Sequence, residues 1–301
     1  GGNCHDFAVL SGRKVGRLAE DVRQARLYVT ACGLYELAIN GKRVGDFVLA
    51  PGYTDYRKRI QYQTYDVTDL IRSGENELTA ELADGWYRGS CGAWGLRNQY
   101  GTQTKLLVQL ELTDGAGKIS RICTDESWAW SNDGPIRFAD NKDGERVDAA
   151  CTPSYCGRAR LATWNVVPTA SNNVPLTEHE HFTNPKLIST PKGKTVLDFG
   201  QNIAGYVAFK IRARAGQKLT LRFGEMFDEA GEFTQKNIQC ANKKRTKVSP
   251  LQKVEYTCAE GVNSYKTKSA IFGFRYVLAE GDVSFSPEGF LPRLYKIAPR
   301  H

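Results

Sequence analysis

The chain has 301 residues, of which 41% are hydrophobic and 25% are charged, and its formal net charge is +8. At roughly 100–200 residues per domain this length suggests two domains, and the aromatic content of 11% excludes a disordered chain. No apolar run in the sequence reaches the roughly 18 residues of a membrane span, so no membrane span is expected. Residues 1–5 do not form a signal peptide.

The positive charge is spread along the sequence. Its one dense run, at residues 243–247, predicts a solvated loop, because no nucleic-acid-binding motif accompanies it. We therefore expect no nucleic-acid partner.

The first half of the sequence alternates apolar and polar residues with the period of two that β-strands show. A helical turn is predicted at residues 69–72, and a tight turn at Asn40-Gly41 joins two strands. The predicted strands cover residues 26–31, 33–39, 42–45, 61–67, 77–82, 104–112, 119–123 and 128–130. Short strands separated by Gly, Asn and Asp turns indicate a β-sandwich.

Residues 150–175 interrupt this pattern with three prolines and a polar run, which predicts a linker. Strands are then predicted over residues 195–199, 205–211, 218–223, 252–257 and 274–278. No long segment has the 3.6-residue period of a helix. We therefore predict an all-β chain of two β-sandwich domains in tandem, of jelly-roll or lectin-like type, covering residues 1–165 and 166–301.

The eight cysteines contain no Cys-x-x-Cys pair, and several lie within or directly beside predicted strands (Cys32, Cys123 and Cys258). This placement favours buried thiols over disulfides. His179 and His181 alternate as on a strand, but no third metal ligand lies near them in the sequence. We therefore expect an edge strand there and no metal site.

Several motifs, in the same order, resemble those of bacterial α-L-rhamnosidases, glycoside hydrolase family 78. They lie at residues 25–46, 49–59, 61–68, 83–89, 124–128, 197–207, 222–225 and 273–277. The resemblance spans roughly residues 24 to 278, and it implies the rhamnosidase N-terminal sandwich followed by the lectin-like, concanavalin-like sandwich. One departure is Ile271-Phe272, where the family usually has Tyr-His.

In that family a large α/α-barrel follows the two sandwiches and carries the catalytic acids. The segment after residue 278 is too short to form such a barrel, so we expect no catalytic residue in this chain. The sequence does not show two facing carboxyl groups of the kind that glycoside hydrolysis needs. Glu225, Asp228 and Glu229 are interpreted as residues of a hairpin turn.

A sugar-binding role has more support from the residue types. Sugar sites combine an aromatic platform with planar polar side chains, and residues 84–98 have this composition in a glycine-rich loop. The alternative is that Trp86 belongs to the core. The candidate sugar-binding residues are Asp55, Asp84, Trp86, Tyr87, Arg88, Trp94, Arg97 and Asn98.

The resemblance also raises the question of calcium, because some rhamnosidase sandwich modules bind rhamnose with a calcium ion held by Asp and Asn oxygens. Asp55, Asp84 and Asn98 could contribute such ligands, but Arg57 and Lys58 bring positive charge close to Asp55. We therefore expect no cofactor and no metal site, with calcium as the alternative.

These observations predict a non-catalytic, carbohydrate-binding or accessory region related to α-L-rhamnosidases. Its expected partners are rhamnose-containing glycans and a separate or removed catalytic domain, and its expected location is outside the cytoplasm. One alternative is a glycoside hydrolase, or part of one. The other is a scaffold without a ligand, which would expose a large apolar patch where a barrel docks.

Overall fold

The strands that alternation predicts are present, and almost all regular structure in the chain is β-strand. The computed structural model describes residues 10–18, 21–92, 95–172, 174–183, 185–242, 247–284 and 293–299. Trp94 and residues 243–246, which hold most of the basic run, lie outside these ranges. Within the described ranges two short segments are helical: a 3₁₀ turn at Thr68–Leu70, close to the predicted helical turn, and the one-turn helix α1 at Gly85–Arg88.

The strands are as follows. The first thirteen are β1 (Leu10–Leu18), β2 (Val22–Cys32), β3 (Leu34–Ile39), β4 (Lys42–Arg43), β5 (Gln61–Asp66), β6 (Gly74–Ala83), β7 (Lys105–Asp114), β8 (Ile119–Cys123), β9 (Ala129–Ser131), β10 (Ile136–Asp140), β11 (Gly144–Asp148), β12 (Gly157–Arg158) and β13 (Thr169–Ala170). The other twelve are β14 (Leu176–Thr183), β15 (Lys186–Ser189), β16 (Thr195–Ala213), β17 (Lys218–Gly224), β18 (Met226–Phe227), β19 (Phe233–Thr234), β20 (Cys240–Asn242), β21 (Lys247–Ser249), β22 (Lys253–Thr257), β23 (Gly261–Lys266), β24 (Phe272–Gly281) and β25 (Arg293–Pro299).

The first sandwich packs two sheets against each other, with strand orders β12-β9-β1-β6-β3-β4 and β13-β5-β2-β7-β8. Its core consists of the inward-facing apolar residues, among them the fully buried Leu27, Leu37, Ile39 and Leu110. The turn between β3 and β4 is the predicted one. Asn40 and Gly41 both have positive φ, +51° and +76°, as a type I′ hairpin turn requires.

The second sandwich is built on one large sheet in the order β10-β11-β22-β17-β24-β16-β25-β14, with β15 and β23 also paired to β16. The two strands predicted within residues 195–211 are one long strand, β16, which is interrupted by a bulge between Asp198 and Ile203. The core of this half is aromatic: Phe223 and Phe272 stack with ring centroids 4.3 Å apart, and Phe274 packs edge-on against Phe223.

The two halves share strands and a small apolar core. β10 and β11 come from the first half of the chain but join the second sheet, where β11 runs parallel to β22. In the segment predicted as a linker, β13 pairs with β5 of the first sandwich. The shared core includes Leu34, Ala83, Ile136, Ala139 and Tyr206. The domain boundary between residues 165 and 166 stays a prediction. Strands on each side of it pair with the sheet of the other half: β10 and β11 join the second sheet, and β13 joins the first sandwich.

The cysteines of the described residues are all free thiols. Cys32 and Cys258 are buried as expected. Cys123 was expected to be buried and is exposed, because it ends β8, the edge strand of its sheet. Within the described residues, no helix is long and apolar enough to cross a membrane.

β1 was not predicted. Its sequence is rich in Lys, Arg and Gly because only alternate residues contact the core, so its apolar signal is weak. The strands β10 and β11, which form a hairpin, were not predicted either.

Candidate functional site

The structure brings α1 of the glycine-rich loop together with the segment around Asp55, and both supply candidate sugar-binding residues. The segment 53–57 lies against α1, so that the rings of Tyr53 and Trp86 are 6.1 Å apart between centroids. Below them, the rings of Tyr56 and Tyr87 are 5.4 Å apart in an edge-on arrangement. One patch of aromatic residues therefore joins the loop before β5 to the loop after β6.

The outer part of this patch, which we call the aromatic surface, consists of Tyr53, Arg57, Trp86 and Tyr100. Tyr53 is 58% exposed, and its hydroxyl is 2.9 Å from that of Tyr100. The Arg57 guanidinium lies over the Tyr100 ring, with its central carbon 5.3 Å from the ring centroid. The hydrogen bond with Tyr53 is the main cause that raises the pKa of Tyr100 to about 12, so the Tyr100 hydroxyl stays protonated at neutral pH.

Asp55 lies at the edge of the aromatic surface. Its carboxylate accepts a hydrogen bond of 3.1 Å from Arg57 Nε, and this bond is the main reason why the pKa of Asp55 is lowered. Asp55 and Arg57 therefore present a planar carboxylate and a planar guanidinium beside the exposed Tyr53 ring.

The inner part of the patch is rigid. Tyr56 and Tyr87 are 0% and 2% exposed, and the Tyr56 hydroxyl donates to the Gly52 carbonyl at 2.7 Å. The ring of Trp164 packs 5.5 Å from that of Tyr87. Gly101 passes so close that a side-chain carbon there would lie 2.2 Å from the Tyr87 hydroxyl oxygen, which explains why glycine occupies the position.

The charged residues of the same loop lie in a different place, which we call the Asp84 cluster: Asp84, Arg88, Arg97 and Asp140. Arg97 donates to both carboxylates, and Arg88 Nη1 is 3.3 Å from Asp84 Oδ1. The carboxylates are almost inaccessible, with Asp84 4% exposed and Asp140 0% exposed.

Asp140 also organises the backbone around the cluster. Its Oδ2 accepts the Ser90 N–H at 2.8 Å, and its Oδ1 accepts the N–H groups of Lys142 and Asp143 at 2.9 and 3.0 Å. The cluster therefore fastens the loop after β6 to the β10–β11 hairpin of the second sheet.

Burial is the largest influence on the Asp84 carboxyl. It raises the pKa to about 6, although the positive charges of Arg88 and Arg97 act in the opposite direction. The nearby Asp140 charge adds to the increase. A sugar that contacts Asp84 would first have to displace Arg97, so a role for Asp84, Arg88 or Arg97 in sugar binding stays a prediction.

The remaining predicted residues are placed as follows. Trp86 is half-buried, with its ring against Tyr53, and Tyr87 lies beneath the aromatic surface. Asn98 is exposed, has φ of +61°, and donates its backbone N–H to the Arg88 carbonyl at 2.9 Å. Trp94 lies outside the described residues.

The residues considered for calcium have other partners. Asp55 is bonded to Arg57, and Asp84 is bonded to two arginines. Within the described ranges, no group of three or more His, Cys, Asp or Glu side chains is placed to hold a metal ion.

Sequence reasoning missed Tyr100 and Trp164. Tyr100 reaches the aromatic surface because the Asn98 turn folds the chain back over α1, where the Tyr100 N–H bonds to the Tyr87 carbonyl. Trp164 lies in the segment interpreted as a linker, and a tryptophan within a polar, proline-rich stretch was the signal that this segment is anchored.

Comparison with known proteins gives two family matches. Residues 20–189 match the alpha-L-rhamnosidase N-terminal domain, and residues 188–288 match the bacterial alpha-L-rhamnosidase concanavalin-like domain. Among curated proteins, the chain is 39% identical over 277 residues to an alpha-L-rhamnosidase of Streptomyces avermitilis, covering 86% of this chain and 25% of that protein. It is 36% identical over 290 residues to one from Formosa agariphila, covering 91% of this chain and 30% of that protein.

Solved structures agree with these matches. The Streptomyces avermitilis alpha-L-rhamnosidase, solved in complex with L-rhamnose, superposes with a TM-score of 0.86 at 34% identity and covers 97% of this chain and 29% of that one. The Aspergillus terreus alpha-L-rhamnosidase superposes with a TM-score of 0.85 at 29% identity, covering 97% of this chain and 34% of that one. The chain thus spans between a quarter and about a third of the length of these relatives.

Proposed function

The chain belongs to the bacterial α-L-rhamnosidase family, and we propose that it is a carbohydrate-binding region that takes rhamnose-containing glycans at the aromatic surface. The proposal depends on one observation: the exposed Tyr53 ring packs beside Trp86 and Tyr100, and Arg57 lies over the Tyr100 ring.

The chemistry of the surface suits a sugar. A sugar ring has an apolar face of C–H groups and a rim of hydroxyls, so it binds where an aromatic ring lies beside hydrogen-bonding groups. The Tyr53 ring supplies the first, and the hydroxyls of Tyr53 and Tyr100 supply donors and acceptors 2.9 Å apart. Asp55 and Arg57 add a planar acceptor and a planar donor.

The rigidity of the base favours binding. Tyr56 and Tyr87 are buried below the surface, and the Asp84 cluster holds both ends of the loop that carries Trp86. A surface that is already ordered loses little conformational entropy when a ligand binds. The Asp84 cluster therefore supports the site from below.

A second candidate function is the hydrolysis of α-L-rhamnosides, because the relatives are named alpha-L-rhamnosidases. We assign this activity to those longer proteins, of which this chain matches 25% and 30%. Hydrolysis needs two accessible carboxyl groups on either side of the scissile bond. Here Asp84 and Asp140, the two carboxylates of the Asp84 cluster, are both buried and share one guanidinium. We expect no release of nitrophenol from nitrophenyl α-L-rhamnoside by this chain, and measurable turnover would overturn the assignment.

Glycan-array screening followed by calorimetry tests the binding proposal. We expect binding to rhamnose-containing glycans, and about a tenfold loss of affinity in Tyr53→Ala, because stacking and a hydrogen bond are both lost. The matched control is Tyr62→Ala, which removes a half-buried tyrosine that packs against Tyr28 on another part of the same sandwich. Equal affinities of the two variants, or an array without rhamnose-containing ligands, would contradict the proposal, and the latter would favour the scaffold alternative.

A further inference from the structure

A polar surface on the second sandwich gathers residues from separate parts of the chain. Between Asp198 and Ile203 the strand β16 bulges, so that residues 199–202 face the single residue Arg275 of β24. The bulge is anchored by the buried Phe199 and Ile203, while Gly200, Gln201 and Asn202 are exposed. Bulges of this kind redirect side chains and are frequent near functional sites.

The bulge directs Asn202 at the Glu225 carboxylate. Asn202 Nδ2 donates to Glu225 Oε1 at 3.2 Å, and Asn237 Nδ2 donates to Glu225 Oε2 at 3.0 Å. Both asparagines are exposed and Glu225 is half-buried. The result is a row of three planar groups, amide, carboxylate and amide, at the surface, which we call the Glu225 row.

The row keeps free hydrogen-bonding capacity. Each amide has a second N–H and a carbonyl oxygen, and each carboxylate oxygen has further lone pairs. Glu225 forms no ion pair with any residue that the structure describes, whereas its neighbour Asp198 is bonded by Arg275 at 2.8 and 2.9 Å. The carboxylate is therefore held in place by neutral groups and can still accept from a ligand.

The sheet leaves space beside the row. Phe272 and Phe274 point into the core, so Gly273 and Arg275 lie on the outer face of β24. A side-chain carbon at Gly273 would lie 3.5 Å from Glu225 Oε1, so the glycine leaves one side of the carboxylate uncovered. Next to it, Arg275 stacks over the Tyr276 ring at 4.9 Å, and Phe227 packs edge-on against the same ring.

We propose that the Glu225 row is a second carbohydrate-binding site, which takes two adjacent hydroxyl groups of a neutral sugar. Adjacent hydroxyls bond in pairs to planar carboxylate and amide groups, and the row presents three such groups side by side. The site is on the second sandwich and shares no residue with the aromatic surface. Its function therefore does not depend on sugar binding at Tyr53.

Titration of the ¹⁵N-labelled 301-residue chain with L-rhamnose and with D-galactose tests the site. We expect both sugars to shift the side-chain amide signals of Asn202 and Asn237. L-Rhamnose whose 2,3-diol is blocked as the isopropylidene ketal should leave them unchanged. The shifts should persist in Tyr53→Ala, which separates this site from the aromatic surface.

Two variants give the decisive comparison. Glu225→Gln should weaken binding at the row about tenfold, because a hydrogen bond to a charged acceptor is replaced by a neutral one. Gly273→Ala should also weaken it, and it should fold normally because the added carbon makes an ordinary contact. The matched control Glu229→Gln removes an exposed charge from the same hairpin and should bind as the parent does.

Three results would overturn the proposal. The first is the absence of any sugar-dependent shift at Asn202 and Asn237. The second is an equal response to the blocked sugar, and the third is unchanged affinity in both Glu225→Gln and Gly273→Ala. Each result can occur whether or not the aromatic surface binds glycans.

Discussion

The Asp84 cluster and the aromatic surface are neighbours that share the loop following β6, yet the carboxylates of the first are buried and Tyr53 of the second is exposed. In the Asp84 cluster the carboxylates and guanidinium groups bond to one another below the surface. At the aromatic surface the Tyr53 ring and the hydroxyls beside it face solvent. The division falls within a single helical turn, since Arg88 belongs to the cluster and Trp86, two residues earlier, to the surface.

The difference teaches which group can carry which role. A buried charge has lost its hydration, so it must keep its ionic partners, and this requirement suits it to holding parts of the fold together. An aromatic ring with a polar tip tolerates partial exposure and can exchange water for a sugar. The cluster should therefore control stability, and the surface should control binding.

The largest expected effect is a loss of stability when the Asp84 cluster is changed. Asp140→Ala removes a carboxylate that bonds Arg97 and three backbone N–H groups, and it leaves them unsatisfied. We expect the free energy of unfolding, measured by urea denaturation, to fall by about 3–5 kcal/mol. Asp55→Ala is the control, because it breaks an exposed ion pair and should leave the urea midpoint unchanged. If the two variants lowered the free energy of unfolding equally, the Asp84 cluster would not differ from the aromatic surface in its contribution to stability.

The next effect is a dependence on pH. Burial raises the pKa of Asp84 from 3.8 to about 6, so between these values the folded chain holds a proton that the unfolded chain releases. The contribution of this carboxyl to stability is therefore fully present below pH 3.8 and is lost as pH rises through about 6.

Asp84→Asn isolates this contribution. Relative to the variant, the parent chain should lose about 3 kcal/mol of unfolding free energy between pH 3.5 and pH 7, because one pKa unit corresponds to about 1.4 kcal/mol. Urea denaturation of both proteins at the two pH values measures the difference. A parallel pH dependence of the two proteins would show that Asp84 does not titrate in this range.

The smallest effect should be at the edge of the aromatic surface. Arg57→Ala removes the guanidinium over the Tyr100 ring and the partner of Asp55, so affinity for rhamnose-containing glycans should fall about threefold in calorimetry. The urea midpoint should not change, since the Arg57 guanidinium is exposed to solvent and its ion pair with Asp55 lies at the surface. A lower urea midpoint with unchanged glycan affinity would show that Arg57 contributes to stability and not to binding.

The sequence by itself determined the all-β class, the turn at Asn40-Gly41 and the resemblance to α-L-rhamnosidases. These depend on local patterns: strand alternation has a period of two, and the positive φ of the hairpin turn favours Asn and Gly. It also drew attention to both segments that form the aromatic surface, because their aromatic and planar residues are dense in the sequence.

Only the tertiary structure decided what those residues face. Asp84 and Arg97 have the composition of a sugar site, and the fold places Asp140, far along the chain, beside them, so that both carboxylates are buried and bonded to Arg97. Tyr100 and Asn202 gave no sequence signal, since a turn and a bulge bring them to their partners. Contacts between strands that are distant in sequence determine which side chains are buried. Burial in turn determines whether a polar side chain stabilises the fold or is accessible to a ligand.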